Sequence, residues 1–238
     1  MKQTLLIELL TEELPPKVLE KLSTSFADEV FGALKEQVLT GEASVCIPYA
    51  TPRRLAITIS NVESIQADRM IERKGPAVSS GLDAEGKPSK ALEGFMRSAN
   101  VTFEKLQRVN DGKAEYFVAK IEQKGKTLND CLTDIVTQAL KKIPVPKLMR
   151  WGDTDHQFVR PVHALTVLHG SRVILVEVFG LQSGNVTRGH RFLSKDPITI
   201  AHADQYESIL EKEGYVVPSL SKRREMIALK LDENAESL

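Results

Sequence analysis

Basic residues stand beside turn-forming prolines and glycines at five places in the chain. "TPRRLA" holds Arg53 and Arg54, "ERKGPAV" holds Arg73 and Lys74, and "PKLMRWGD" holds Lys147 and Arg150; "FVRPVH" holds Arg160, and "TRGHRFL" holds Arg188, His190 and Arg191. An arginine fork grips a phosphate through two parallel N–H bonds, so cations carried on loops rather than on helix faces suit a phosphate-bearing ligand. Together the five loops are expected to build one phosphate-binding surface. Singly, each reads as a solvated charge or as half of a structural ion pair, such as Arg54 with Glu8 or Arg150 with Asp153. Trp151 and Phe158 flank the polar loop of the third cluster, where an exposed ring could stack on an unpaired base, although a lone tryptophan reads first as a core anchor.

Other chemistries find less support. No glycine-rich turn with phosphate-loop or dinucleotide spacing follows a strand, so ATP is not expected on this chain. No G-x-S-x-G elbow is present, and neither cysteine has the neighbours of a reactive pair. The five histidines lack the i, i+4 spacing that sets two ligands on one helix face, and no metal is expected. The adjacent carboxylates Glu12 and Glu13 read as charges favoured by the start of a helix, and Asp153 and Asp155 as ordinary loop residues.

The chain has 238 residues, 42% hydrophobic and 27% charged, enough to bury a core as one large or two modest domains. Lys plus Arg number 32 and Asp plus Glu number 32, so no global field gathers nucleic acid, and any RNA contact must be a local patch. Cys46 and Cys131 are far apart in apolar segments, which suits buried thiols in a reducing compartment. The apolar start is short, interrupted by Glu8 and without a cleavage site, and no run approaches a membrane span. A cytoplasmic protein is expected.

Positioning these residues requires alternating strands and helices. "TLLIELL" reads as a strand, and the helix after it, with Pro15 and Pro16 in its first turn, buries Val18, Leu22, Phe26, Val30, Leu34 and Val38 before "TGE" ends it with Gly41. "ASVCIPYA" and "RRLAITISNV" read as neighbouring strands, and the second half of "DRMIERKGPAVSSGLDAEGKPSK" as loop. A helix follows from Pro88, then a short helix entered through Thr102, the strand "AEYFVAKIEQ" and an amphipathic helix from Leu128. "PVHALTVLHGSRVILVEVFGLQSG" reads as a hairpin turning near His169–Ser171, and the tail as helix, short strand "YVV" and a last helix without a C-terminal cap. The class is α+β, with mixed or antiparallel sheet layers and packed helices.

Six motifs in order, "IELLTEELPPK", "YATPRRLA", "RKGPAV", "DAEGKPSKALEGF", "KLMRWG…FVRPVHALTVLHG" and "TRGHRF", resemble the β subunit of bacterial glycyl-tRNA synthetase. The resemblance implies a heterotetramer of α and β subunits in which ATP, with magnesium, and glycine activation belong to α, while β supplies binding of tRNA(Gly). It also implies similarity of residues 1–200 to the B3/B4 module of the phenylalanyl-tRNA synthetase β subunit, which handles the tRNA acceptor end, with residues 201–238 a helical segment leading to downstream domains of β. Editing of mischarged tRNA, near His163 or His190, is the weaker expectation, since a glycine-sized pocket already excludes larger amino acids. The remaining alternative is an assembly scaffold whose arginines are paired.

Overall fold

The computed structural model describes residues 1–83, 85–112, 114–145, 147–194 and 197–236; Ala84 of "DAEGKPSKALEGF" and Pro146 of the basic cluster "PKLMRWGD" lie outside them. The chain divides into two compact units, one of residues 1–66 and 126–238 and the other of residues 67–125.

The larger unit begins with strand β1 (Lys2–Thr11), a 3-10 turn at Pro16–Val18, helix α1 (Leu19–Glu36) and strands β2 (Cys46–Thr51) and β3 (Arg54–Glu63). The smaller unit holds β4 (Arg69–Ala77), the short α2 (Val78–Gly81), α3 (Lys90–Ala99), β5 (Leu106–Asn110) and β6 (Glu115–Gln123). Back in the larger unit, α4 (Leu128–Lys142) leads to β7 (Met149–Arg150), β8 (Gln157–Phe158) and β9 (Val162–His169). Five short strands follow: β10 (Arg172–Val173), β11 (Glu177–Val178), β12 (Leu181–Gly184), β13 (Val186–Arg188) and β14 (Pro197–Thr199). Helices α5 (Tyr206–Lys212) and α6 (Leu220–Glu236) end the chain.

The central sheet of the larger unit runs in the order β11-β12-β9-β1-β3-β2, with β10 also paired to β9. All its pairings are antiparallel except β12 with β9. Strand alternation sends Leu5, Ile7 and Leu9 to one face, where they pack with Leu22, Phe26 and Val30 of α1 and Leu132, Ile135 and Val136 of α4. Leu6 goes to the other face, with Tyr49, Ala56, Leu168, Ile200, Tyr206 and Leu210. Because both faces are covered, the strand is apolar almost throughout, and Glu8 on the second face is a buried exception, 1% exposed. α4 starts at a capping box in which the Thr127 hydroxyl accepts from the Asp130 backbone N–H and the Asp130 carboxylate accepts from the Thr127 N–H.

The smaller unit is a three-stranded antiparallel sheet, β4-β6-β5, with α3 packed against it. β4 runs through Gly75–Ala77 into the segment expected as loop, its register on β6 shifting between Lys74 and Ala77, where Gly75 and Pro76 interrupt the ladder. The helix expected after Thr102 is one 3-10 turn, Phe103–Lys105, before β5. "YVV" forms no strand.

α1 stops at Glu36, ahead of the expected glycine end. Val38 takes a left-handed φ of 56° and points outward, which lets Leu39 fill the core in its place. Cys131 is buried and Cys46 half-buried, both as free thiols, and burial pushes the Cys46 thiol up to about 12. No helix among the described residues is long and apolar enough to cross a membrane.

Candidate nucleic-acid interface

Four of the motif segments meet at one end of the central sheet. The Thr11 N–H donates to the Arg53 carbonyl at 2.9 Å, the Glu12 N–H to the Pro161 carbonyl at 2.9 Å and the Leu14 N–H to the Pro52 carbonyl at 2.6 Å. Those bonds stitch the end of β1 to the β2–β3 turn on one side and to the start of β9 on the other. Pro52 and Pro161 have no N–H to donate to a ladder, and they stand just after the end of β2 and just before the start of β9.

Glu12 sits in the middle of this rim. Its carboxylate accepts from Arg53 Nη2 at 3.1 Å and pairs with His163 Nε2 at 2.8 Å. The His163 hydrogen bond first, helped by the positive charges of Arg53, His163 and Arg191, holds the Glu12 carboxyl below the usual carboxylate range against the opposing effect of burial. Glu12 does not serve a helix start, since α1 begins only at Leu19.

Arg54 lies beneath the rim, 2% exposed, and is withdrawn from the surface expected for it. Its Nε donates to Glu8 Oε2 at 2.6 Å, and its Nη2 donates to the Thr187 hydroxyl at 3.3 Å and to the Arg188 carbonyl. The other Glu8 oxygen accepts from the Thr187 hydroxyl, and Glu8 Oε2 also accepts from the Tyr206 phenol at 2.5 Å. Register explains the burial: Glu8 lies opposite Ala56 and Leu10 opposite Arg54, so Glu8 and Arg54 are diagonal neighbours on one sheet face, under β13 and α5. Burial, the largest single effect, acts to lower the Arg54 pKa, but the Glu8 charge, Tyr206 and the Glu8 hydrogen bond together outweigh it and raise the pKa above its ordinary value. Burial and the Glu8 charge likewise hold the Tyr206 phenol well above its usual range, so it stays a donor. The pairing of Arg54 with Glu8 expected on the scaffold alternative is thus present.

The loop from Arg188 to Ser194 rises beside the rim, its base tied to Arg54 through the Arg188 carbonyl. The His190 N–H donates to the Gly214 carbonyl at 2.6 Å, and the Ser194 N–H closes a turn onto the His190 carbonyl at 3.0 Å. Gly189 crosses Gly214 so closely that an added Cβ would stand 2.5 Å from the Gly214 Cα, which accounts for the glycine of "TRGHRF". Arg188, His190 and Arg191 are all exposed, and Phe192, not among the expected contacts, is 81% exposed beside them.

The β7–β8 hairpin carries the tryptophan motif. Arg150 Nη1 pairs with Asp155 Oδ1 at 3.4 Å rather than with Asp153, because Arg150 lies opposite Gln157 in the hairpin and the loop brings Asp155 back beside it. Trp151 packs against the core and meets Phe179 edge-on at 5.6 Å, with Phe158 buried at 5.5 Å from the same ring. Both aromatics are anchors. Lys147 is exposed, and the half-buried Arg160 donates to the Val159 carbonyl at 2.9 Å and lies 3.2 Å from the Met149 sulfur.

Arg73 and Lys74 belong to the smaller unit. Arg73 donates to the Ser98 carbonyl at 3.3 Å and lies over the Phe95 ring, while Lys74 pairs with Asp111 at 2.6 Å and lies over Tyr116. The Asp111 hydrogen bond raises the Lys74 pKa. The rim therefore unites Arg53, Arg188, His190 and Arg191 with Arg160 nearby, adds Glu12, His163 and Phe192, and loses Arg54 to the interior. Glu12 and His163 carried a sequence signal that composition hides: Glu12 stands three residues before Pro15 and His163 two residues after Pro161, as Arg53 directly follows Pro52.

Among known proteins, the family model described as glycyl-tRNA synthetase beta subunit matches residues 5–238. The chain is 49% identical over 238 residues to a glycine–tRNA ligase beta subunit of Neisseria meningitidis serogroup B, covering 100% of this chain and 34% of that relative. A beta subunit of the same description from Actinobacillus succinogenes is 45% identical over 97% of this chain and 33% of its own length. Another, from Glaesserella parasuis, is 42% identical over 99% and 34%. The chain spans about a third of the length of these relatives.

Proposed function

The chain belongs to the glycyl-tRNA synthetase β-subunit family, and on that premise we propose that it supplies a non-catalytic tRNA(Gly)-binding surface to the ligase. Activation of glycine with ATP and magnesium falls in this reading to the α subunit, and the chain also joins α to the rest of β. The observation that carries the reading is the convergence of Arg53, Arg188, His190 and Arg191 on one end of the sheet, from segments far apart in sequence. A neutral chain that concentrates exposed guanidinium groups at one rim makes the local patch that phosphate contact needs without a global field. Lys147, Arg150 and Arg160 extend the same reading along the hairpin, and Arg73 and Lys74 bring it to the smaller unit. A similarity to the B3/B4 module would agree with contact on the acceptor side of the tRNA.

Charge reversal at Arg53, Arg150 and Arg191 in the complete enzyme tests it. Each lost phosphate contact should weaken tRNA(Gly) binding and make the slope of log K against log salt shallower by about 1. Unchanged affinity and slope in all three variants would remove the proposal. The buried Glu8–Arg54 pair favours the scaffold reading for Arg54 itself, which is therefore left out of the set of proposed contacts.

A further inference from the structure

We propose that Phe192 is a stacking platform for an unpaired RNA base, with the arginines beside it holding the adjoining phosphates; this rests on the RNA-binding reading above and assigns a residue and a ligand conformation to it. Phe192 is 81% exposed and the next residue, Leu193, 58%. Two consecutive large apolar side chains on a loop tip leave contact area with water that a soluble chain gains by covering. The tip is also held in place. Gly189 is wedged against Gly214, the His190 N–H is bonded to the Gly214 carbonyl, and the Ser194 N–H to the His190 carbonyl. The Phe192 N–H in turn donates to His190 Nδ1 at 3.3 Å. A ring presented by a braced loop loses little freedom on binding, which is the condition for a preorganised platform.

The surroundings select the ligand. The Arg191 guanidinium lies 5.8 Å from the centre of the Phe192 ring and the His190 ring 6.1 Å from it, so cationic and imidazole groups already border the aromatic face. Arg188 is exposed at the base of the loop, and Arg191 is near enough to Glu12 to act on its carboxyl. A protein partner fitted to an apolar tip would be met by an apolar border. A tip bordered by His190 and Arg191, with Arg188 at the base of its loop, instead matches a flat, neutral base on an anionic backbone, the combination by which single strands are held. Duplex RNA, its bases stacked internally, offers this ring nothing.

The experiment compares Phe192→Ala, Phe192→Trp, Arg191→Glu and Arg53→Glu with the wild type in the complete enzyme. The probes are a single-stranded oligoribonucleotide carrying 2-aminopurine and an RNA duplex of equal charge. Phe192→Ala should weaken the single strand about 5–150-fold and relieve 2-aminopurine quenching, leave the duplex unchanged, and be rescued by Phe192→Trp. Because the ring is exposed, the melting temperature of each Phe192 variant should match the wild type. If Phe192→Ala leaves both probes unchanged while the arginine variants weaken both, stacking is refuted and the basic surface stands. If none of the variants matters, the RNA-binding reading itself fails. Loss of subunit association in Phe192→Ala with RNA binding intact, read by sedimentation, would make the tip a protein contact and overturn the proposal.

Discussion

Replacing Glu8 by Gln keeps the shape of the side chain and removes its charge, leaving the Arg54 guanidinium in the interior with neutral partners only: the Arg188 carbonyl, Thr187 and an amide. Breaking one side of a buried ion pair costs about 3–5 kcal/mol, a large share of the ~5–15 kcal/mol by which domains are stable. For a unit of this size, that corresponds to a melting temperature lower by roughly 6–20 °C. The penalty arises because the guanidinium cannot shed its proton, so the uncompensated charge persists. The double variant Glu8→Gln/Arg54→Met removes that charge, and its cost should fall well below the sum of the two single variants. Urea denaturation followed by the fluorescence of Trp151, the only tryptophan, measures both, and Trp151 lies in the same unit as Glu8 and Arg54. The Arg224 fork on Glu20, with contacts of 2.7 and 3.1 Å at the surface, is the control: Glu20→Gln should leave the urea midpoint in place. A Glu8→Gln cost below about 1 kcal/mol, the range of exposed pairs, or strict additivity in the double variant, would refute the buried-pair argument.

Gly189→Ala should lower stability by about 1–3 kcal/mol, since the new methyl meets the Gly214 backbone rather than a side chain that can move; an unchanged urea midpoint would contradict the close crossing. His169 is buried with Nε2 donating to the Val62 carbonyl at 2.8 Å, and burial first, then Arg172 and the terminal amine, lower its pKa against that bond and Glu63. The unfolded chain therefore binds a proton below about pH 6.5 that the folded chain refuses, so the stability tied to His169 is complete above that value and declines as the pH falls below it. His169→Gln should flatten the decline below about pH 6.5, and an unaltered slope in urea denaturation over that range would assign it to another group.

Periodicity in the sequence located the main strands and helices because burial repeats at fixed intervals: β1, β3, β6, β9, α1, α3 and α4 all fall on runs whose apolar spacing announces them. Breaks were less legible. The end of α1 depended on whether Val38 or Leu39 fits the core, a choice made by the elements around it, and the strand character of "RMIERK" came from pairing with β6 rather than from its own polar residues. The short strands β10 to β14 carry too few residues for a period to show.

The site divides in the same way. Residue type and the neighbouring prolines and glycines sufficed to single out the arginine loops, and the presence of both Glu8 and Arg54 sufficed to suggest a pair. Which arginine would face water was decided by strand register, a long-range property that a shift of one residue would have reversed for Arg54. The meeting of Glu12, Arg53 and His163 across three chain segments, and the exposure of Phe192 on a loop braced by Gly214, likewise exist only after folding. The sequence by itself determined the family, the α+β class and the inventory of cations, because these rest on local pattern and composition. Tertiary structure alone decided which cations share a surface and which is buried with a carboxylate, because side chains distant in the chain become neighbours only through the pairing of β1, β3 and β9.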